Sequence, residues 1–388
     1  MNSANDVKDE LRQLMIETPS WAYGNSGTRF KVFNQKGVAR NAFEKLDDAA
    51  QVHRYTGVAP SVALHIPWDL VDDFDELGAH AKSAGVAIGA INPNVFQEDD
   101  YRLGSVCNAS PSIRRRAIDH LLECVEIGAK TGSTILSLWF ADGTNYPGQD
   151  DIQARQGRLG DALAEVYKAM PASMRMLIEY KFFEPNFYTM DVPDWGTSLL
   201  HCLALGDRAE VLVDTGHHAP GTNIEFIVAN LLRVQRLGGF HFNSRFYADD
   251  DLIVGSADPY QLFRIMNEVV AAGAHRTKSN VAFMLDQCHN LEPKIPAEIR
   301  SVMNVQESAA KALLVDRDAL TKAQLDGDVL EANGILVDAF STDVRSLLSE
   351  MREDMGLDPD PMGAYRRSGY AEKIVEKRAT GSAAGWGA

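Results

Sequence analysis

Short apolar runs recur along the chain, and between them apolar residues return every three or four positions. The runs have strand length and the intervals have helical periodicity, so their alternation predicts βα units around a parallel sheet. Seven runs are clear: Val62–His65, Val86–Ile91, Thr134–Trp139, Met176–Glu179, Val211–Asp214, Gly239–Phe242 and Val281–Asp286. An eighth is placed at Thr28–Phe33, where the boundaries are poorly marked. Helical patterns fill Leu70–Ala84, Ser112–Thr131, Ile152–Met170, Asn223–Leu237 and Pro259–Ala272, and Met1–Glu17 carries Leu and Met at helical spacing. Eight strands alternating with helices match the roughly 250 residues of an α/β fold of the (β/α)8 TIM-barrel type. The competing doubly wound sheet ordinarily announces itself with a glycine-rich turn, and the chain has no GxGxxG, GxxxxGK[ST] or GxSxG.

Past the last run the pattern changes. Helical spacing continues at Pro296–Asp316 and Leu330–Met355 without strand runs between. The expected organisation is a barrel with an N-terminal helix over residues 1–295, a helical C-terminal extension over 296–380, and a disordered, small-residue tail at 381–388.

Composition narrows the function. The 388 residues carry 54 acidic and 38 basic side chains, a formal charge of −16, which repels phosphate backbones and anionic lipid. Nucleic-acid and membrane-surface partners are therefore disfavoured. The four cysteines, Cys107, Cys124, Cys202 and Cys288, lack CxxC pairing, and no stretch has the apolar length of a membrane span or signal region. A cytoplasmic protein is expected.

In a parallel barrel the chemistry sits where the strands end at their carboxyl side. Glu179 and Asp214 close two consecutive runs, His241 lies in the next, and Asp286 closes the last. Singly, an Asp or Glu at a strand end is more often a helix cap, and a His between two Phe is more often core. On four successive strands at one rim, a cluster of buried carboxylates needs a cation to be tolerated. His217 follows Asp214 by three residues, and Asp249 and Asp251 alternate in the loop after His241, where an extended backbone points both to one side. Five carboxylates and two imidazoles exceed one six-coordinate ion and suit two; with no thiolate, the set fits Mn²⁺, Mg²⁺ or Co²⁺, with Zn²⁺ as a further candidate. Lys181 shares a strand face with Glu179. Cys288 and His289 are read as structural.

The segments Glu179-Tyr-Lys181-Phe-Phe-Glu-Pro185, Val213-Asp-Thr-Gly-His-His218, Gly239-Phe-His-Phe-Asn-Ser-Arg245, Asp249-Asp-Asp251 and Leu285-Asp-Gln-Cys-His-Asn290 resemble the bacterial L-rhamnose isomerases of broad sugar specificity, members of the xylose-isomerase-like barrels. The likeness starts at Trp21-Ala-Tyr-Gly24 and runs through the barrel. It implies two divalent ions: a structural one held by Glu179, Asp214, His241 and Asp286, and a catalytic one held by Glu179, His217, Asp249 and Asp251. It further implies Lys181 at the sugar O1, a pocket lined by His65, Trp68 and Trp139, a homotetramer, and no organic cofactor.

The chemistry agrees. Turning an aldose into a ketose moves hydrogen between C1 and C2 and a proton between O1 and O2, and ions on adjacent oxygens stabilise the charge that develops. A metal-bound water of lowered pKa is expected to shuttle the hydroxyl proton, with Asp286 as the carboxylate that orients it. His65, with Asp69 four residues on, has two readings: opening the sugar ring, or a strand-to-helix cap. Loops Tyr55–Pro60 and Asn94–Ser105 are expected at the pocket, and 144–150 at the surface or against a neighbouring subunit. The alternative function on the same barrel is a keto-sugar 3-epimerase or another metal-dependent sugar isomerase; a metal-dependent phosphodiesterase would want a basic groove, and the one basic run, Arg114-Arg-Arg116, opens a helix. A non-enzymatic sugar-binding protein has no use for seven ligands.

Overall fold

In the computed structural model, which describes residues 3–26 and 32–378, eight parallel strands close into a barrel. They are β1 Glu17–Pro19, β2 Ser61–Ile66, β3 Ala87–Pro93, β4 Ile135–Leu138, β5 Arg175–Glu179, β6 Ala209–Asp214, β7 Leu237–Phe242 and β8 Ala282–Leu285. Each neighbours the next in sequence, and β8 pairs with β1 to complete the ring. The TIM-barrel reading is correct, and the seven clear runs supply β2 to β8.

The remaining strand is not where the apolar pattern puts it. Residues 28–31 lie outside the described residues, Val32 and Phe33 are not in a strand, and the chain closes the barrel earlier, with Glu17–Pro19. This Glu-Thr-Pro triplet has no apolar run; it is a strand because Glu17 pairs with Ser61 and Met284. The Glu17 carboxylate turns into the barrel and accepts hydrogen bonds from the Ala90 N–H at 2.9 Å and the Ser61 hydroxyl at 2.8 Å. Gly89 makes room for it, since a Cβ there would come within 1.6 Å of Glu17 Oε2. The N-terminal helix is correspondingly short, Ala4–Leu11.

Outer helices follow the expected spans at Phe74–Ala84, Pro111–Thr131, Ile152–Ala169, Ile224–Arg233 and Pro259–Ala271. Asp73, Asp151, Asp194 and Asp258 cap helix N-termini by accepting backbone N–H groups, so part of the acid excess is local helix chemistry. Helices at Ala42–Thr56 and Trp195–Leu205 were not foreseen. Lys294–Leu313 follows β8 and packs against Ala42–Thr56 and Pro259–Ala271. The stretch read as one pattern at Leu330–Met355 is two helices, Val329–Ser341 and Arg345–Asp354, followed by Pro361–Arg367 and Tyr370–Lys377. Arg378 fastens this end of the chain to Asp48 at 2.7 Å. The tail at 381–388 lies outside the described residues.

Two apolar layers result. One fills the space between strands and helices. The other, with Ala63, Ala90, Leu177, Leu212 and Met284, lies inside the barrel. Among the described residues no helix is long and apolar enough to cross a membrane.

Candidate active site and metal centre

The inner layer fixes which side chains reach the barrel mouth. Leu177 and Leu212 point inward, so Glu179 and Asp214, two residues further along their strands, do too. His241 is in register with Asp214 and with the inward Met284, which puts Asp286 on the same face. Ligand atoms from Glu179, Asp214, His241 and Asp286 lie within 4.8 Å of one another.

Asp214 is held by the Gly216 N–H at 2.6 Å and the Asn243 amide at 3.0 Å. A Cβ at 216 would come within 2.6 Å of Asn243 Oδ1, so a larger residue there would push against the amide that holds Asp214. Asp286 accepts from the Trp21 indole N–H at 2.8 Å. His241 Nδ1 is 3.1 Å from Glu179 and 3.3 Å from Asp286, yet neither of its buried ring nitrogens has a hydrogen-bond partner.

The second set is cross-paired. His217 Nε2 lies 2.9 Å from Asp249, and His217 Nδ1 lies 3.1 Å from Glu179 and from the Tyr180 carbonyl. Lys181 Nζ is 2.5 Å from Asp249 and 2.6 Å from Glu184, and 5.0 Å from the centre of the Trp139 ring. The loop bearing the alternate acids is not extended: Asp249 and Asp251 both have φ near 49°, a left-handed conformation that Asp tolerates better than most residues. Both nevertheless line the pocket.

Charge is unevenly shared. Burial, with Asp214 and Glu179 nearby, pushes Asp286 up to about 7 against the pull of His241. Burial raises Asp214 to about 6 and Asp251 well above the usual carboxylate range, the latter helped by Asp249 and Asp286. Burial also opposes ionisation of Glu179, but His241 and His217 outweigh it and hold that carboxyl at about 2. Burial would lower both imidazoles; Glu179 and Asp286 instead raise His241 to about 9, and Asp214 and Asp249 raise His217 well above its ordinary value. Protons on the imidazoles thus stand in for positive charge that the acids require, and a divalent cation would displace them. The residues fit a metal ion.

Opposite the acids the pocket is aromatic. It encloses about 560 Å³, part of it open to solvent, between Trp21, Trp68, Phe96 and Trp139 on one side and Glu179, Lys181, His217, His241, Asp249, Asp251 and Asp286 on the other. His65 stacks on Trp68 at 3.6 Å. Every residue proposed from the sequence therefore lines this cavity or, as with Asp214, joins its acid cluster. The Asp69 carboxylate accepts from the His65 backbone N–H at 2.8 Å, and the helix that follows is capped by Asp73 and not by Asp69.

Other readings change. Tyr55–Pro60 precedes β2 and sits at the barrel's other end, where Tyr55 packs edge-on to Tyr365. Asn94–Ser105 does reach the pocket, through Phe96, while in 144–150 Tyr146 is exposed. His289 is structural, bound to Glu298 at 2.8 Å, but Cys288 lines the pocket. Asn92, Ser137 and Cys288 line the pocket and were missed, although period-two spacing from Ala90, Trp139 and Asp286 marks them as inward; Asn243, which holds Asp214, was missed as well. Trp21 gave no such signal.

Comparison with known proteins places the chain. A probable sugar isomerase of Rhizobium meliloti (strain 1021) is 42% identical over 387 residues, covering 98% of this chain and 90% of that protein. A probable sugar isomerase of Mesorhizobium japonicum is 42% identical over 378 residues, covering 96% and 88%. Among solved structures, an L-ribulose 3-epimerase superposes with a TM-score of 0.57 at 14% identity over 80% of this chain and 97% of its own. A 3-keto-D-glucoside 4-epimerase from E. coli gives 0.55 at 12% identity over 76% and 99%. At those identities the two structures speak for the barrel alone. The family described as L-rhamnose isomerase matches residues 71–359, and with the two relatives this shows that the chain belongs to the L-rhamnose isomerase family.

Proposed function

We propose that this sugar isomerase interconverts L-rhamnose and L-rhamnulose, accepts related aldohexoses, and transfers hydrogen between C2 and C1 as a hydride. The observation that carries the metal chemistry is His241, whose two buried nitrogens lack hydrogen-bond partners inside a ring of carboxylates. Glu179, Asp214, His241 and Asp286 would hold one ion, and Glu179, His217, Asp249 and Asp251 a second. Mn²⁺ is assigned, with Co²⁺, Mg²⁺ and Zn²⁺ as alternatives, because the donors are oxygen and imidazole. Such ions, when bound, polarise the carbonyl and stabilise alkoxide charge by several kcal/mol.

The chain's own groups do the rest. Lys181 binds O1 and sets its ammonium against the charge that develops there. Asp286, at the pocket wall, orients the water that passes the hydroxyl proton from O2 to O1. The C2 hydrogen leaves with its electron pair and bonds to C1, so O2 ends as the ketose carbonyl. His65, Trp68 and Trp139 present ring faces to the sugar and keep water from the reacting carbons. A homotetramer, a cytoplasmic location and a division at residue 295 between barrel and helical extension complete the proposal.

Purified protein loaded with Mn²⁺ should form a ketose from L-rhamnose, and EDTA should stop it. C2-deuterated substrate should keep its label in the product; label lost to water would replace the hydride step with an enediol. Asp286→Asn should remain folded and lose about 10²–10⁴-fold in rate; an unchanged rate removes Asp286 from the mechanism.

A further inference from the structure

Lys45 has no exposed surface, although it lies on the helix Ala42–Thr56 where a lysine would ordinarily reach water. Burying an ammonium is costly unless it is paired and hydrogen-bonded. Its partner is Asp69, 1% exposed, at 2.6 Å. The other oxygen of Asp69 accepts from the His65 backbone N–H at 2.8 Å and from the Ser20 hydroxyl. One carboxylate thus ties together three elements: the helix, the turn Ser20–Tyr23, and the end of β2.

Each tie lies beside an aromatic residue of the pocket. Ser20 precedes Trp21, the second bond is to His65 itself, and Asp69 follows Trp68. The His65 ring is held by those neighbours, stacked on Trp68 at 3.6 Å and edge-on to Trp21 at 5.6 Å, while its Nδ1 is buried with no hydrogen-bond partner. A ring-opening relay needs the carboxylate on that nitrogen, and the carboxylate is engaged elsewhere.

We infer that Asp69, Lys45 and Ser20 form a buried clamp that positions the aromatic wall of Trp21, His65 and Trp68, and that Asp69 is a positioning residue with no part in proton transfer through His65. The inference rests on the reading of this cavity as a sugar pocket. It also accounts for a fully buried lysine whose ion-pair partner is Asp69 and not an acid of the barrel mouth.

The test is the double variant Lys45→Met with Asp69→Asn, which removes both charges together and leaves an amide oxygen for His65 and Ser20. With the wall loosened, KM for L-rhamnose should rise about tenfold, kcat should stay within about threefold with an unchanged pH profile, and the near-UV circular dichroism of tryptophan should weaken. Loss of kcat by more than about thirtyfold with a displaced pH profile and unchanged KM would restore the relay and overturn the clamp. If the double variant does not fold, Ser20→Ala, which keeps the ion pair, reads the same effect at about two- to threefold in KM, and an unchanged KM and spectrum overturns the clamp. A wild-type protein without isomerase activity would remove the sugar reading, while the near-UV spectra would still decide the clamp.

Discussion

Among the described residues, two groups of acids converge in this barrel, and in each the ligand-type atoms fall within 4.8 Å of one another. Near the ribbon formed by Gly143–Thr144 and Thr189–Met190, Asp142 and Asp191 meet Cys107. At the mouth, Glu179, Asp214 and Asp286 meet His241. In the first group the chain itself partners each acid, although burial and Asp191 still raise Asp142. Asp191 is gripped by the Arg155 guanidinium at 3.0 and 2.6 Å, and Asp142 accepts backbone N–H groups from Ser105 at 2.7 Å and Cys107 at 2.8 Å. In the second group three carboxylates are pushed toward their neutral forms or borrow a proton on an imidazole, and His241 has no hydrogen-bond partner at all. Convergent buried acid is therefore not by itself grounds for a metal site; the cluster that holds an imidazole without hydrogen-bond partners is the stronger candidate.

Metal removal should separate the two groups most widely. Stripping with EDTA should abolish isomerisation, and restoring Mn²⁺ to a hundredfold excess over its dissociation constant should add about 2.7 kcal/mol to the unfolding free energy for each ion held only by the folded chain. Two ions give roughly twice that in denaturant titrations. A chain whose unfolding is indifferent to Mn²⁺ would erase the difference between the groups.

Arg155→Met attacks the other side of the comparison. The variant leaves Asp191 buried beside Asp142 without its cation and should cost about 3–5 kcal/mol. Because that pair is internally neutralised, the loss should be the same with and without Mn²⁺. Stability regained on adding Mn²⁺ would mean that the Asp142 group also takes an ion.

Much of this contrast was legible in the sequence. Glu179, Asp214 and Asp286 close apolar runs, and strand alternation converts that position into an inward side chain at the barrel mouth, so the acid cluster around His241 could be read directly. Asp249 and Asp251 were legible as pocket acids but not in conformation, since their backbone takes positive φ where an extended loop was read. β1 was illegible: Glu17–Pro19 has no hydrophobic signature, and its strand character comes from pairing with β2 and β8 across long separations. The same holds for Asp69. Its spacing from His65 is visible, but Lys45 and Ser20, which decide what the carboxylate does, arrive from other elements.

Asn243 gives the finest test of the comparison, because it supports the mouth cluster without belonging to it. Its amide donates to both oxygens of Asp214, at 3.0 and 3.2 Å, and its oxygen closes the space above Gly216. A ligand carboxylate oriented this way binds its ion in one geometry, and loss of such a partner typically costs about 10–100-fold in metal affinity. Asn243→Ala should therefore weaken Mn²⁺ binding by about that factor in a competitive titration, about 1.4–2.7 kcal/mol, while kcat recovers at saturating Mn²⁺. Asn243→Asp would add an acid to a cluster already short of positive charge, and should tighten Mn²⁺ while destabilising the metal-free chain. Equal Mn²⁺ affinity in Asn243→Ala and wild type would show that Asp214 is oriented by Gly216 alone, and would leave Asn243 as packing.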